Sequence, residues 1–339
     1  SCLTYKFRSF KMKKQLLIAA VAATMASVSM ADISITGGAK VNYTYTDYDL
    51  ATSTDGNKFQ HDIDLTVVGQ SGATQVVVTM ANDTADGAAS GTAQGFDLEN
   101  RYVSSSIADV NVKVGSWDNG DDFVSASARA DGKFSANTTI SGVKVTYDAS
   151  GTSGATTAAA SNVASETVTV AGSMGGVNAS YKQETAGEEI KLSTTVAGVS
   201  LAYHADNSDD ANSDRSSIEV SGEVSGVKVA YVQIDADTSA TIEGDSWAGD
   251  FEGASGAYDL TAGQDVAAIK VSTAVAGNTV AFTRTDVDGV ASADTSFNKL
   301  SVTRPLASGA TFEMTYTTID DDVTANDADI LDLELAVKF

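Results

Sequence analysis

The 339-residue chain carries 45 Asp and Glu against 21 Lys and Arg, with 29 Gly, one Pro and one Cys. A formal net charge of −24 argues against nucleic acid or an anionic membrane surface as partner, and a lone cysteine cannot form a disulfide framework. Beyond Ala31 no window approaches 18 consecutive apolar residues, so transmembrane helices are excluded and only a closed barrel could cross a bilayer.

In chain order, the first distinct segment is basic. Lys6, Arg8, Lys11, Lys13 and Lys14 fall within the first thirty residues, where there is no Asp or Glu. Met12-Lys13-Lys14, the apolar run Leu16 to Met25 and the small residues Ser29-Met30-Ala31 form the basic, apolar and cleavage regions of a secretory signal peptide. The expected division is 1–11 as an extension ahead of Met12, 12–31 as signal peptide and 32–339 as one β domain. Without the leader, 16 basic side chains face 45 acidic ones, a formal −29.

From Ile33 onward the signal is a repeated hairpin: a small-residue turn with glycine, then a strand whose fifth residue after that glycine is aromatic. Gly142 to Tyr147, Gly176 to Tyr181, Gly198 to Tyr203, Gly226 to Tyr231 and Gly277 to Phe282 all fit. Within each copy apolar and polar residues alternate, Val143, Val145 and Tyr147 on one face and Lys144 and Thr146 on the other. Equal spacing sets the rings at one height, as in an aromatic girdle. Polar stretches intervene at Asn82 to Gly95, Ser150 to Ser165, Ala205 to Asp214, Asp235 to Asp265 and Asp320 to Asp329. Tight turns centred on Gly69–Gly72, Ile107–Asp109, Gly142, Gly175–Gly176, Gly198, Gly226, Gly277 and Gly309 give eight hairpins. With one strand at each end, the fold class is all-β: a transmembrane antiparallel β-barrel of 18 strands, with 16 as the alternative. Short turns are periplasmic and the long acidic loops lie outside.

The final segment, Leu331 to Phe339, has the strictest alternation: Leu331, Leu333, Leu335, Val337 and Phe339 against Asp332, Glu334 and Lys338. With the signal peptide, the strand Asp32-Ile-Ser-Ile-Thr-Gly-Gly-Ala39 and the strand pair from Phe96 to Trp117, it resembles the general diffusion porins of Gram-negative bacteria. The resemblance implies a passive channel for small hydrophilic solutes and ions in the outer membrane. It also implies a homotrimer embedded in lipopolysaccharide and outer-membrane lipid. Phe339 would be read by the outer-membrane assembly machinery. The usual strand number in that family is 16, one hairpin fewer than the turns give here.

If apolar parity faces lipid, polar parity faces water in the lumen, because Lys or Arg turned to lipid at midplane costs roughly 2–4 kcal/mol. The expected pore wall comprises Lys40, Asp62, Asp64, Asp97, Glu99, Arg101, Lys113 and Lys144, with Lys182, Lys191, His204, Glu219 and Lys228 on the same parity. By the same resemblance, the stretch after the fifth strand folds into the barrel, and Asp118, Asp121 and Asp122 form a constriction. Arg129 and Lys133 in that segment reverse its local sign. His61 and His204 are the only histidines and have no zinc spacing. The Asp-rich stretches 206–214 and 320–329 lack the glycine and bidentate glutamate of a calcium loop. No enzyme, metal or cofactor is therefore expected. The acidic balance predicts cation preference. A solute-specific channel and an exported β-rich adhesin are the alternatives, the first disfavoured by aromatics that fall on the outward parity.

Overall fold

The computed structural model describes residues 32–49, 56–83, 97–117, 130–151, 163–240, 252–253, 256–257, 263–289, 294–322 and 327–339. The expected extension 1–11 and signal peptide 12–31 lie outside these. Barrel strands run in chain order as β1 (Asp32–Tyr48), β2 (Gly56–Ser71), β3 (Thr74–Asp83), β4 (Asp97–Ile107), β5 (Val110–Trp117), β6 (Ala130–Ile140), β7 (Val143–Gly151), β8 (Val163–Met174) and β9 (Val177–Glu184). They continue as β10 (Gly187–Val196), β11 (Val199–Ser208), β12 (Arg215–Val224) and β13 (Val227–Ala236). A two-residue ribbon, β14 (Glu252–Gly253) with β15 (Gly256–Ala257), precedes β16 (Gln264–Val275), β17 (Asn278–Gly289), β18 (Thr295–Pro305), β19 (Ala310–Asp321) and β20 (Ala328–Lys338).

Eighteen of these form one sheet, as the turn count predicts, each antiparallel to the next. β1 bonds both β2, from Asp32 opposite Gln70 to Thr46 opposite Gly56, and β20, from Gly38 opposite Lys338 to Tyr48 opposite Ala328. The ring is therefore closed and has no free edge to recruit another strand.

Turn chemistry explains the uniform register. At Ser141–Gly142, Ala197–Gly198, Ser225–Gly226 and Ala276–Gly277 both central residues are left-handed, with φ of 52° and 83°, 51° and 84°, 53° and 81°, and 50° and 80°. Two consecutive positive φ values make type I′ turns, whose twist matches that of the flanking strands. The alanine or serine at the first position accepts roughly 1–2 kcal/mol of strain. Each turn fixes the count to the next aromatic, so the rings align across strands. Tyr203 lies opposite Leu192 and Ile218, Tyr231 opposite Ile269, and Leu300 between Phe282 and Tyr316. Tyr203, Tyr231, Phe282, Leu300 and Tyr316 are all exposed on the outside of the sheet, the position that hydrocarbon and its interface would cover.

Two polar stretches are shorter than the sequence implies. β11 extends to Ser208 and β12 starts at Arg215, and β19 reaches Asp321 with β20 from Ala328. β9 and β10 are joined on the long-loop side by Thr185-Ala186 alone. Beside them Gly187, at φ 151°, leaves room for the Asn207 carbonyl, which an added Cβ would approach to 2.3 Å.

The buried core is inside the ring. Val232, Ile234, Val266, Ala268, Val287, Phe297, Ile319, Ala328 and Ile330 form one cluster, with Tyr48 and Ala236 packed against it. All are on the parity opposite the exposed belt, Val232 and Ile234 alternating with Tyr231 on β13, and Phe297 lying three residues before outward Leu300 on β18. The inner face is thus apolar over part of its circumference, whereas the sequence reading made it polar throughout.

Candidate pore wall

On β1, β2 and β20 the inward face is acidic around one lysine. Lys40 lies directly opposite Asp62, their charged atoms 3.3 Å apart. Asp64 is two residues further along the same face. Thr44 donates to Asp332, and Glu334 sits opposite Asn42. On the neighbouring strand Glu313 directly faces Glu334 and accepts from the Thr303 hydroxyl at 2.9 Å. Two carboxylates opposed across a ladder repel, and a water-filled interior tolerates them.

β4 departs from simple alternation. Opposite Thr79 and Met80 its register shifts, so that Asn100 pairs with Thr79 and Leu98 with Met80, leaving Glu99 extra. This bulge exchanges the two faces beyond it. Arg101 then pairs with Val78 and shares the outward face with exposed Val103 and Ile107. The expectation that Arg101 lines the pore is corrected: the inserted residue turns it outward and turns Tyr102 inward. A second irregularity lies between Gly115 and Trp117 on β5. Gly115 has φ 147°, and a Cβ there would come within 2.2 Å of the Arg101 carbonyl.

Together the two irregularities build a basic and aromatic surface that alternation did not reveal. Tyr102 and Trp117 meet edge to face at 6.2 Å, and the Lys113 ammonium lies 3.9 Å from the Tyr102 centroid and 4.2 Å from that of Trp117. Lys133, 6 % exposed, donates to the Trp117 carbonyl at 2.8 Å and sits 5.5 Å from the indole. Ammonium groups over ring faces gain about 0.5–2 kcal/mol, more as water is excluded. Aromatics are thus not confined to the outward face: Tyr102 and Trp117 take the inward parity, contrary to the expectation.

A third group spans β9 to β12. Glu189 is held by Lys191 at 3.0 Å, Lys182 at 3.5 Å and His204 at 3.7 Å, while Lys182 also meets Glu184 and Arg215 pairs with Asp206. These residues share the inward parity, since Tyr181, Leu192 and Tyr203 are exposed on the other face.

Acidic groups also occur outside, beyond the tyrosine belt on the loop side. Tyr147 donates to Glu166 at 2.9 Å and Tyr181 to Glu188 at 2.8 Å. The Tyr231 hydroxyl meets Gln233, which donates to Asp235. Arg284 pairs with Asp286 at 2.7 Å. Part of the acidic excess therefore sits on this outer collar, while inward carboxylates and ammonium groups are interleaved.

Of the expected wall residues, Lys40, Asp62, Asp64, Glu99, Lys113 and Lys144 take the inward parity, Lys144 opposite Thr139. Asp97 pairs through its backbone with Ala81. Asp118, Asp121, Asp122 and Arg129 lie outside the described residues. Within the stretch 206–214, the Asp214 carboxylate accepts from the Ser208 N–H at 2.9 Å, closing the turn between β11 and β12.

No protein-family model and no curated protein matches the sequence. The fold matches solved structures along almost their whole length. OccAB4 of Acinetobacter baumannii superposes with a TM-score of 0.66 at 9 % identity, covering 92 % of this chain and 99 % of that one. OpdL of Pseudomonas aeruginosa gives 0.64 at 11 %, over 91 % and 99 %. A BenF-like porin from Pseudomonas fluorescens Pf-5 gives 0.62 at 13 %, over 91 % and 98 %. At these identities the likeness establishes the fold, that of an 18-stranded porin barrel.

Proposed function

We propose that the chain is an outer-membrane channel of a Gram-negative bacterium, through which small hydrophilic solutes and ions diffuse passively, with a preference for cations. One observation carries this reading: a closed ring of eighteen strands turns an apolar, aromatic-belted face outward and an ionic face inward. Lipid would cover the first, because each strand is hydrogen-bonded to a neighbour on both sides around the ring, and water would fill the second. Cation preference draws on the acidic inner sector of Asp62, Asp64, Asp332 and Glu334. No step in this reading breaks or forms a covalent bond.

Refolded protein in a planar bilayer should give ohmic conductance, and a salt gradient should give a reversal potential of cation-selective sign. A protein recovered from the periplasm, without a heat-modifiable band on gels, overturns the channel. Assembly as a homotrimer belongs to the same reading and is measured by cross-linking in detergent.

The inward Tyr102–Lys113 pair, packed against a Trp117 that is itself only 7 % exposed, favours a second reading, a channel selective for particular solutes. Aromatic faces beside an ammonium group suit planar or sugar-like solutes bearing negative charge. In that case Trp117→Ala lowers solute flux measured by liposome swelling while leaving chloride conductance nearly unchanged. Equal losses in both place Trp117 in the wall without a role in selection.

A further inference from the structure

On β12, β13 and β16 the register sets four inward charged residues around one alanine. Ser221 on β12 lies directly opposite Ala230 on β13, and Ala230 lies opposite Lys270 on β16. Glu219 and Glu223 flank Ser221 two residues to either side, and Lys228 is two residues from Ala230. All share the inward parity, since Ile218, Val224, Val229 and Ile269 beside them are exposed on the outer face. Directly opposed Cβ atoms lie about 4.5–5.5 Å apart and diagonal neighbours about 7–8 Å, so Glu and Lys side chains can reach a common point above the alanine. The small Ala230 side chain leaves that point open. A cleft of about 370 Å³ has Ser221, Glu223, Lys228, Ala230 and Lys270 in its wall, and an adjoining one of about 330 Å³ has Ser200, Glu219 and Ser221. On the loop side the floor ends on Val232, which is 0 % exposed.

These four charges do not hold the wall together. Elsewhere on the inward face Lys40 is paired with Asp62, Lys182 and Lys191 with Glu189, and Arg215 with Asp206. Among the described residues, no ion pair or hydrogen bond engages the side chain of Glu219, Glu223, Lys228 or Lys270. Even Glu223 and Lys228, directly opposite on the ladder, do not meet. Two carboxylates on β12 and two ammonium groups on β13 and β16 therefore face one cleft, and their charges cancel. A simple ion is attracted by one pair and repelled by the other. A small molecule with an ammonium group at one end and a carboxylate at the other satisfies both, and charge-assisted hydrogen bonds are the strong ones. We propose that the cleft over Ala230 is a binding station for small zwitterions, the class of amino acids and short peptides. The solute ammonium donates to Glu219 and Glu223, and its carboxylate accepts from Lys228 and Lys270. A volume of this order is ample for such molecules, since ligand pockets run from roughly 300 to 1,000 Å³. The proposal rests on the channel reading above and adds a solute class to it, at a place separate from the Tyr102–Lys113 pair.

The test uses the folded full chain, verified by heat-modifiability, with glycylglycine as the zwitterionic probe. N-acetylglycine offers the carboxylate alone and glycinamide the ammonium alone. Binding is read by calorimetry in detergent and by interruptions of single-channel current in a planar bilayer. Glycylglycine should bind roughly tenfold or more tighter than either single-charge analogue, the factor that one charge-assisted hydrogen bond supplies. Glu219→Gln should weaken glycylglycine and glycinamide and leave N-acetylglycine nearly unchanged. Lys270→Gln should weaken glycylglycine and N-acetylglycine and leave glycinamide nearly unchanged. Ala230→Phe fills the cleft with all four charges in place and should abolish binding; if that barrel does not assemble, the two glutamine variants decide. No binding of glycylglycine, equal binding of the three probes, or binding that neither glutamine variant weakens overturns the proposal. Binding by calorimetry in a protein that shows no conductance removes the channel reading instead and leaves the station standing.

Discussion

Phe339 and Gly37 close the barrel: the Phe339 N–H donates to the Gly37 carbonyl at 2.9 Å, and the Gly37 N–H donates back to the Phe339 carbonyl at 2.8 Å. The phenyl ring lies over the glycine, where an added Cβ would approach it to 2.9 Å and the Asp64 carbonyl to 2.5 Å. The seam therefore depends on a residue with no side chain on β1 and on an aromatic at the end of β20. Deleting Phe339 should lower the yield of heat-modifiable barrel without affecting synthesis. Gly37→Val should do the same with Phe339 intact, since the clash is with backbone. Normal assembly of Gly37→Val would show that the seam does not need this contact.

Gly115 supports a second prediction. Its Cβ position is within 2.6 Å of the Tyr102 Cα as well as 2.2 Å of the Arg101 carbonyl, neither of which can move without breaking the ladder. Gly115→Ala should destabilise the barrel by on the order of 3 kcal/mol or more, the scale of a strained backbone site. It should also loosen the Tyr102–Trp117 contact. The readout is the temperature at which the folded band disappears, together with Trp fluorescence; an unchanged temperature would mean that the bulge relaxes.

What the sequence made legible follows from period-two alternation. Turns and outward belt were readable because Gly142, Gly198, Gly226 and Gly277 restart the count at each hairpin, and β20 alternates without interruption. Arg101 departs from the expected wall because a bulge adds one residue that alternation alone cannot reveal. The signal was present in Leu98 and Val103, both exposed on the outside yet five residues apart, which an unbroken strand forbids. The buried inner cluster had a similar sign: β13 carries Tyr231 on one parity and Val232 and Ile234 on the other. A strand apolar on both faces is covered on both.

Glu189 is the acceptor shared by Lys182, Lys191 and His204. Glu189→Gln leaves two lysines without that charge in a wall where the Glu189 side chain is only 11 % exposed. Loss of one member of a largely buried ionic group costs about 3–5 kcal/mol when no water replaces it, and less where Lys191 reaches the lumen. The barrel should melt at lower temperature, and the reversal potential should move toward anions. Lys191→Gln, which removes an exposed cation and leaves Lys182 on Glu189, should melt close to the parent and move the potential toward cations. The same direction of shift in both variants would show that this group does not face the path.

Placement of acidic groups decides where the proposed cation preference would arise. Asp62 and Asp64 line the inner wall, while Asp286 and Asp288 lie on the outward parity of β17, on the face that carries exposed Phe282. The Debye length is about 8 Å at physiological salt and about 3 Å at 1 M, so an outer carboxylate separated from the lumen by the barrel wall contributes little to the ion stream. Asp62→Asn with Asp64→Asn should therefore move the reversal potential toward anions. The shift should persist at high salt, because inside a narrow, protein-walled channel there is little room for screening ions. Asp286→Asn with Asp288→Asn should leave the potential nearly unchanged at 1 M and shift it slightly at low salt. Arg284 loses its partner in that variant, yet both groups are 46 % exposed, so stability should change by well under 1 kcal/mol. Equal shifts from the two pairs at high salt would mean that selectivity is set at the mouth by surface charge, and the inner acidic sector would lose its role.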